Sequence, residues 1–388
     1  MSQSAVPAQI HLVDLKGQYD RIAAEVDASM RRVIETSSYI RGPQVGEFEC
    51  ELAGYLGAGY ALGVANGTDA LQIALMALGV GPGDEVITSS FTFIATAEAA
   101  ALLGAVPVFA DIDPKTFNMD PAAVEALVSP RTKAIVPVHL FGQPAQMDPI
   151  LEIAARHGLA VIEDNAQGIG STYKGRMTGT MGTIGTLSFF PSKNLGCYGD
   201  GGAVLTNDET LFRRMKLVSN HGSAKKYHNE IVGINSRLDT MQAAILAAKL
   251  PHLDGYNAAR RAAADRYDEI LRDVPGIETP WRDPDGVHVF HQYTIRVTTG
   301  GEKDGGAARD ALSEFLTKAG VPNAVYYPVP LHRLAVFAPG GPAEARYGDM
   351  RHTERAAIEV LSLPMHTELT DDQLVRITDT IGSFQRLR

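Results

Sequence analysis

The sequence contains little cysteine and no long apolar run. Its two cysteines, Cys50 and Cys197, are far apart and form no CxxC pair, which argues against a disulfide framework or a cysteine zinc site. No stretch approaches the roughly 18 uninterrupted apolar residues of a membrane-spanning helix. The first ten residues also lack the basic start and apolar segment of a signal peptide. We therefore expect a cytoplasmic protein that does not insert into membranes.

Positive charge is also scarce, and this limits the partners. With 35 basic and 45 acidic residues the formal net charge is −10, so no general field would attract nucleic acid or anionic membranes. An anionic small molecule would need locally placed donors, such as helix N-termini and a few arginines. The 11 histidines show no metal-ligand spacing. We expect no nucleic-acid partner and no metal.

What the chain does contain is an alternation of two patterns. Between positions 54 and 206, short apolar runs alternate with longer stretches of helical period, as is typical of an α/β fold. The runs 135–138 and 161–163 lack polar alternation, which indicates strands covered on both faces and a central, mostly parallel sheet. The predicted strands are 60–64, 85–88, 106–110, 134–138, 159–163, 186–190 and 203–206.

The character of the sequence changes after Pro251. An Ala- and Arg-rich helix is predicted over 256–272, followed by several prolines and an alternating strand over 291–297. We therefore predict two domains, a large one over 1–250 and a smaller α+β domain over 251–388.

Two polar motifs follow predicted strands. Asn66-Gly67-Thr68-Asp69-Ala70-Leu71 opens a helix, where exposed backbone N–H groups and the positive helix end suit a phosphate. The plainer interpretation is an N-cap by Thr68 or Asp69. Asp164 ends the most apolar strand, where a carboxylate could hold a pyridine nitrogen protonated or could simply cap the next segment.

A third motif contains a lysine in a protected position. In Ser188-Phe189-Phe190-Pro191-Ser192-Lys193-Asn194 a strand ends with a hydroxyl, and Lys193 follows five residues later at the start of a glycine-rich stretch. Such a lysine can lose its proton and attack an aldehyde, although most lysines are solvated. The glycines also suggest dinucleotide binding, but neither G-x-G-x-x-G nor G-x-x-x-x-G-K-[ST] occurs.

Several ordered motifs together carry a resemblance to a known family. They are Val13-Asp14-Leu15, Tyr39-Ile40-Arg41-Gly42-Pro43, Gly67-Thr68-Asp69-Ala70-Leu71, Glu163-Asp164, Phe190-Pro191-Ser192-Lys193, Asn235-Ser236-Arg237 and Leu363-Pro364-Met365-His366. Over nearly its whole length the chain resembles the DegT/DnrJ/EryC1/StrS family of sugar aminotransferases. The resemblance implies a pyridoxal phosphate (PLP) enzyme of fold type I, similar to aspartate aminotransferase, with a central mostly parallel sheet and a smaller C-terminal α+β domain.

The resemblance assigns roles to the residues of these motifs. It implies that Lys193 binds PLP covalently and transfers protons, and that Asp164 pairs with the pyridine nitrogen. Gly67, Thr68 and Ser188 would hold the phosphate, although Ser188 could simply bond to the backbone.

Three further cofactor residues are implied in the same way. Phe93 would stack on the ring, Gln167 would lie beside its phenolic oxygen, and Asn235 would reach the phosphate from the second subunit of a homodimer. The plainer alternatives are core packing for Phe93, a turn cap for Gln167 and a helix cap for Asn235. The resemblance also implies that the active sites lie at the interface between the two subunits.

The same resemblance indicates the substrate. Gln167 after Glu163-Asp164 is similar to members that aminate 3-keto sugars, above all UDP-2-acetamido-2-deoxy-3-keto-glucuronate, with glutamate as the donor. Tyr327 and His332 match a segment that faces the sugar in the family, and the plainer alternative is a Pro-rich surface turn. We expect Arg237 to bind the sugar, because a guanidinium suits an anionic one, and the alternative is the α-carboxylate of glutamate. The alternatives are a dTDP-3-keto-6-deoxyhexose as acceptor and, from another class, a non-catalytic regulatory protein of the same fold.

Overall fold

The computed structural model describes residues 9–225, 227–299 and 306–386. Its helices are α1 (Leu15–Thr36), α2 (Pro43–Leu56), α3 (Gly67–Ala77), α4 (Ala95–Leu102), α5 (Pro121–Leu127), α6 (Met147–His157), α7 (Glu209–Val218), α8 (Thr240–Lys249), α9 (Leu253–Leu271), α10 (Ala307–Lys318), α11 (Arg351–Glu359) and α12 (Asp371–Arg386). None of these helices is long and apolar enough to cross a membrane.

The strands are short, and each has five residues or fewer. They are β1 (Tyr60–Val64), β2 (Glu85–Ser89), β3 (Val106–Ala110), β4 (Thr132–Val136), β5 (Ala160–Asp164), β6 (Thr172–Tyr173), β7 (Arg176–Met177), β8 (Ile184–Ser188), β9 (Gly202–Thr206), β10 (Ser223–Lys225), β11 (His228–Asn229), β12 (Ile277–Glu278), β13 (Gly286–Val287), β14 (Tyr293–Val297), β15 (Arg346–Tyr347) and β16 (Val360–Leu363).

An eight-stranded sheet with the order β1-β9-β8-β5-β4-β2-β3-β15 forms the centre. The strands from β8 to β15 pair in parallel, whereas β9 runs antiparallel to both β8 and β1. The predicted α/β class and mostly parallel sheet are confirmed. The strand predicted over 186–190 extends two residues too far, because β8 ends at Ser188 and the chain then turns away from the sheet.

Apolar side chains cover both faces of this sheet. On α3, the side chains of Leu71, Ala74 and Leu75 are buried and pack with Val86, Ile162 and other strand residues. A fully buried leucine contributes about 1.5–3 kcal/mol to folding. This burial holds the first turn of α3 at the edge where β2, β5 and β8 end.

A second apolar core lies around the small sheet β12-β14-β16, which α9, α10 and α12 cover. Ile10, from the other end of the chain, packs in the same core. The proposed division into residues 1–250 and 251–388 remains a prediction. The helix predicted over 256–272 begins earlier, at Leu253. A glycine-rich turn expected over 300–306 lies mostly outside the described residues, and a loop expected over 337–346 ends in the edge strand β15.

Candidate active site

A cavity of about 630 Å3 lies at the carboxyl ends of β2, β5 and β8. Ligands of open α/β sheets bind at this edge, because the connections that follow the strands diverge there. Of the predicted site residues, those that line the cavity are Gly67, Thr68, Phe93, Asp164, Gln167, Ser188, Lys193 and Tyr327. Asn235, Arg237 and His332 are not among the lining residues that the structure describes.

The N-terminus of α3 forms one end of the cavity. Asn66, which has an extended backbone, caps the helix by accepting a hydrogen bond from the Asp69 N–H at 2.8 Å. The expectation that Thr68 or Asp69 is the cap is therefore wrong. Helix geometry provides no intrahelical acceptor for the N–H groups of Gly67 and Thr68. A Cβ on Gly67 would lie 2.7 Å from the Ser188 Cβ, so a larger residue would crowd this end.

Lys193 lies on a tight loop that follows β8. Its N–H donates to the Phe190 carbonyl at 2.8 Å, and a Cβ on Gly196 would lie 2.3 Å from the Pro191 carbonyl oxygen, so the loop closes tightly on itself. The lysine is half-buried in the cavity wall. Burial lowers the pKa of Lys193 to about 8, against the opposing effect of the Asp164 charge. Near neutral pH a larger fraction of its amine is therefore unprotonated than in a solvated lysine.

A second lysine with a lowered pKa lies outside the cavity. Burial lowers the pKa of Lys249, on α8, to about 8. Its Nζ donates to the Gly196 carbonyl at 2.5 Å and lies 5.3 Å from the centre of the Tyr198 ring. Lys249 therefore supports the Lys193 loop from behind, and only Lys193 faces the cavity.

The carboxylate of Asp164 is fixed by two donors. Its Oδ2 accepts from the Thr96 hydroxyl at 2.7 Å, and its Oδ1 accepts from the Ala166 N–H at 3.1 Å. The backbone of Asp164 bonds to Pro137 and His139 on the neighbouring chain segment. Asp164 is only 5% exposed and lines the cavity. Asp164 therefore caps the segment that follows it, as one interpretation of the sequence suggested, and it also lines the cavity.

Glu163, the preceding residue, anchors the loop on the other side of β5. Its buried carboxylate accepts from the N–H groups of Gly179, Met181 and Gly182 at 2.6–2.8 Å and from His139 Nε2 at 2.9 Å. His139 Nδ1 accepts from a backbone N–H at 3.0 Å, so the imidazole proton is on Nε2. This pair is structural.

Gln167 and Tyr327 form another wall of the cavity. Gln167 Oε1 accepts from the Phe141 N–H at 2.7 Å, while its Nε2 donates to the Tyr327 hydroxyl at 3.1 Å. Burial raises the pKa of Tyr327 above its usual value. Phe93 lines the cavity with 56% of its surface exposed.

Two residues beside this set were not identified from the sequence. Thr96 is buried behind Asp164, and only its hydrogen bond reveals the relationship. His291, one of the histidines without metal-ligand spacing, lines the cavity. Burial and the charges of Lys193 and Arg260 hold the pKa of His291 well below its usual value. Neither residue belongs to a spacing pattern that could have indicated it.

The predicted residues outside the cavity have other surroundings in a single chain. Asn235 is exposed and Arg237 is half-buried, on a segment where the Ser236 hydroxyl accepts from the Ala65 N–H at 3.0 Å. His332 is buried and bonds to Ser90 Oγ at 2.8 Å and to a glutamate at 3.3 Å. In the part of the chain that the structure describes, no group of three or more His, Cys, Asp or Glu residues could hold a metal ion.

The arrangement fits PLP on its own geometry. The crowded end at Gly67 and Ser188, with free helical N–H groups, suits a phosphate. Asp164 lies at the same cavity as Lys193, and a carboxylate and a readily deprotonated amine are the partners that a pyridine nitrogen and an aldehyde require.

Comparison with known proteins identifies the family. The model of the DegT/DnrJ/EryC1/StrS aminotransferase family matches residues 20–382. The chain is 49% identical to the UDP-2-acetamido-2-deoxy-3-oxo-D-glucuronate aminotransferase of Pseudomonas aeruginosa, over 93% of this chain and 96% of that protein. It is 48% identical to the pleiotropic regulatory protein of Geobacillus stearothermophilus, over 97% and 99%.

A solved structure agrees with this assignment. S. venezuelae DesV, in complex with a ketimine intermediate, superposes with a TM-score of 0.91 at 42% identity, covering 97% of this chain and 98% of that chain. The fold type I architecture expected from the sequence is therefore confirmed. The chain belongs to the DegT/DnrJ/EryC1/StrS aminotransferase family, a family of PLP-dependent enzymes.

Proposed function

We propose that this protein uses PLP to transfer an amino group from glutamate to a nucleotide-linked 3-keto sugar, in the synthesis of amino sugars for polysaccharides. The sugar is of the UDP-2-acetamido-2-deoxy-3-keto-glucuronate type. The observation that carries the proposal is the meeting, in one cavity, of Lys193 with a lowered pKa, Asp164 and the open N-terminus of α3. The Pseudomonas aeruginosa relative, named for this sugar, supports the choice of substrate.

Lys193 and Asp164 perform the central tasks. PLP, when bound, supplies an electrophilic carbonyl and an electron-withdrawing ring. Asp164 has lone pairs beside those used by Thr96 and Ala166, and one of them would accept the pyridine N–H when the cofactor is bound. The Lys193 Nζ, unprotonated in part near pH 8, would bind the aldehyde of the cofactor and, once released, would be the group placed to accept and return a proton.

Three side chains orient the cofactor ring and its phosphate. The N–H groups of Gly67 and Thr68, with Ser188 Oγ, hold the phosphate at the positive end of α3. Phe93 covers one face of the ring. Gln167 Nε2 donates one hydrogen bond to the Tyr327 hydroxyl, and its second N–H would be available to the phenolic oxygen of the cofactor.

A second copy of the chain completes the site. The basic residues among the described lining residues are Lys193 and His291, while Asp69, Asp164 and Asp200 are acidic. A nucleotide diphosphate sugar and glutamate are both anionic, so further cationic and polar donors are required. We propose a homodimer in which Asn235 of the second copy reaches the phosphate and Arg237 reaches the sugar.

Tyr327 and His332 are the remaining sugar residues of the proposal. Tyr327 lines the cavity and can contact a substrate directly. His332 lies behind the wall and bonds to Ser90 and Glu354, so it acts on the sugar only if the substrate changes that arrangement.

Two alternatives are tested by the same experiment. A dTDP-3-keto-6-deoxyhexose has no C6 carboxylate and would make a cation at C6 unnecessary. The Geobacillus stearothermophilus relative is named a regulatory protein, so a binding role is a second candidate. Purified protein with PLP and glutamate is offered UDP- and dTDP-3-keto sugars. We expect turnover of the UDP-3-keto-glucuronate; faster turnover of the dTDP sugar supports the first alternative, and no turnover of any acceptor supports the second.

A further inference from the structure

Thr96 lies outside the cavity but forms a hydrogen bond with Asp164, one of its lining residues. It is the second residue of α4, is 1% exposed and does not line the cavity, yet its hydroxyl donates to Asp164 Oδ2 at 2.7 Å. The two residues are 68 positions apart in the chain. The bond therefore depends on the packing of α4 against the end of β5.

This bond differs from that of an ordinary helical threonine. Threonine hydroxyls within helices usually donate to the carbonyl one turn back, as Thr378 and Thr380 do on α12 at 2.9 and 2.7 Å. Thr96 instead donates to a buried carboxylate of another element. A hydrogen bond to an ionised acceptor is about twice as strong as one between neutral groups.

The contact restricts the orientation of the Asp164 carboxylate. With Thr96 on Oδ2 and the Ala166 N–H on Oδ1, each carboxylate oxygen has a donor, so rotation of the carboxylate is opposed. The threonine itself is stiff, because its Cβ is branched.

We propose that Thr96 is a positioning residue that orients the ionised Asp164 carboxylate toward the pyridine nitrogen of PLP. This inference rests on the proposed function. The segment from the end of β2 into the first turn of α4 then serves the cofactor twice, since Phe93 covers its ring and Thr96 orients the carboxylate that meets its nitrogen.

The test compares PLP with its 1-deaza analogue, in which a CH group replaces the ring nitrogen. Both ligands keep the phosphate and the aldehyde, so only PLP can use Asp164. Thr96→Val keeps the shape and removes the donor. We expect it to raise the Kd of PLP roughly tenfold, because a carboxylate that is free to rotate makes a weaker hydrogen bond to the pyridine nitrogen, and to leave that of the analogue nearly unchanged. Thr96→Ser should bind both ligands like the wild type.

Thr88→Val is the matched control, because Thr88 is also buried and its hydroxyl donates to a backbone carbonyl, that of Val136, at 2.9 Å. It should leave both dissociation constants unchanged. If Thr96→Val folds poorly, Thr96→Ala is titrated instead. The ratio of the two dissociation constants within one variant does not depend on the folded fraction.

The outcomes separate this inference from the proposed function. Equal weakening of both ligands by Thr96→Val, or no weakening of either, overturns the role of Thr96 while PLP binding stands. If the wild-type chain binds neither ligand, the proposed function itself fails. Ring-labelled PLP gives a second readout, because the 15N shift of its nitrogen should move in Thr96→Val and stay in Thr96→Ser.

Discussion

Lys249 donates a hydrogen bond of 2.5 Å to the carbonyl oxygen of Gly196, three residues beyond Lys193. Two lysines with similarly lowered pKa values thus lie on opposite sides of one loop. Lowered pKa values cluster at functional sites but also occur at structural ones. Here the direction of each side chain distinguishes the two lysines, because Lys193 lines the cavity and Lys249 bonds to the back of the loop.

We expect Lys193→Ala to abolish transamination, because it removes the amine that binds PLP and carries the proton. Borohydride reduction of the wild type with PLP should label the peptide that contains Lys193. Lys249→Met is the control and should still be labelled at Lys193. Recovery of the label on Lys249 would refute the assignment.

The capture of PLP by the cofactor-free protein should depend on pH. Only the unprotonated amine reacts, and the pKa of Lys193 is lowered to about 8. The rate should therefore rise with pH and level off above about 8, whereas a solvated lysine would continue to gain rate up to pH 10 and beyond. Stopped-flow absorbance measures it. Lys249→Met should leave the midpoint in place, and a midpoint near 10 would contradict the effect of burial.

Activity should be recovered when two inactive variants exchange subunits. In a mixed dimer of Lys193→Ala and Asn235→Ala, one site keeps its own lysine and the partner's asparagine, so it is complete. Lys193→Ala mixed with Asp164→Asn is the control, because both residues line the same chain's cavity and neither site is repaired. Activity is measured after mild denaturation and refolding of the mixtures. Recovery in both mixtures, or full activity of a monomer, argues against a shared site.

Arg237→Lys should slow one half-reaction selectively. A guanidinium meets a carboxylate with two parallel hydrogen bonds, whereas lysine offers a point charge. If Arg237 recognises the sugar, the step with glutamate stays nearly unchanged, and the step with the keto sugar slows about ten- to a hundredfold. Stopped-flow absorbance follows both steps on one sample. An equal loss in both would indicate a common carboxylate site, and a loss in the glutamate step alone would exclude sugar recognition.

Much of the fold and part of the site could be predicted from local patterns. The apolar runs that became β4 and β5 indicated a buried parallel sheet, since such strands are covered on both faces. Gly67, Asp164 and Lys193 could be selected because Asp164 is the last residue of a strand, and the other two lie a few residues beyond the end of one. Polar residues at strand ends meet at one edge of a parallel sheet, so their order in the chain already predicts their proximity.

Only the tertiary structure decided the contacts between distant elements. The bonds of Thr96 to Asp164 and of Lys249 to Gly196 span 68 and 53 positions, and His291 lines the same cavity as Lys193 although the two lie on distant segments. Asn66 replaced Thr68 or Asp69 as the cap because backbone conformation selects among adjacent candidates. Local propensity and periodicity therefore determined the strands, the helices and the strand-end residues. Side-chain packing, which brings remote segments together, determined which groups orient and support them.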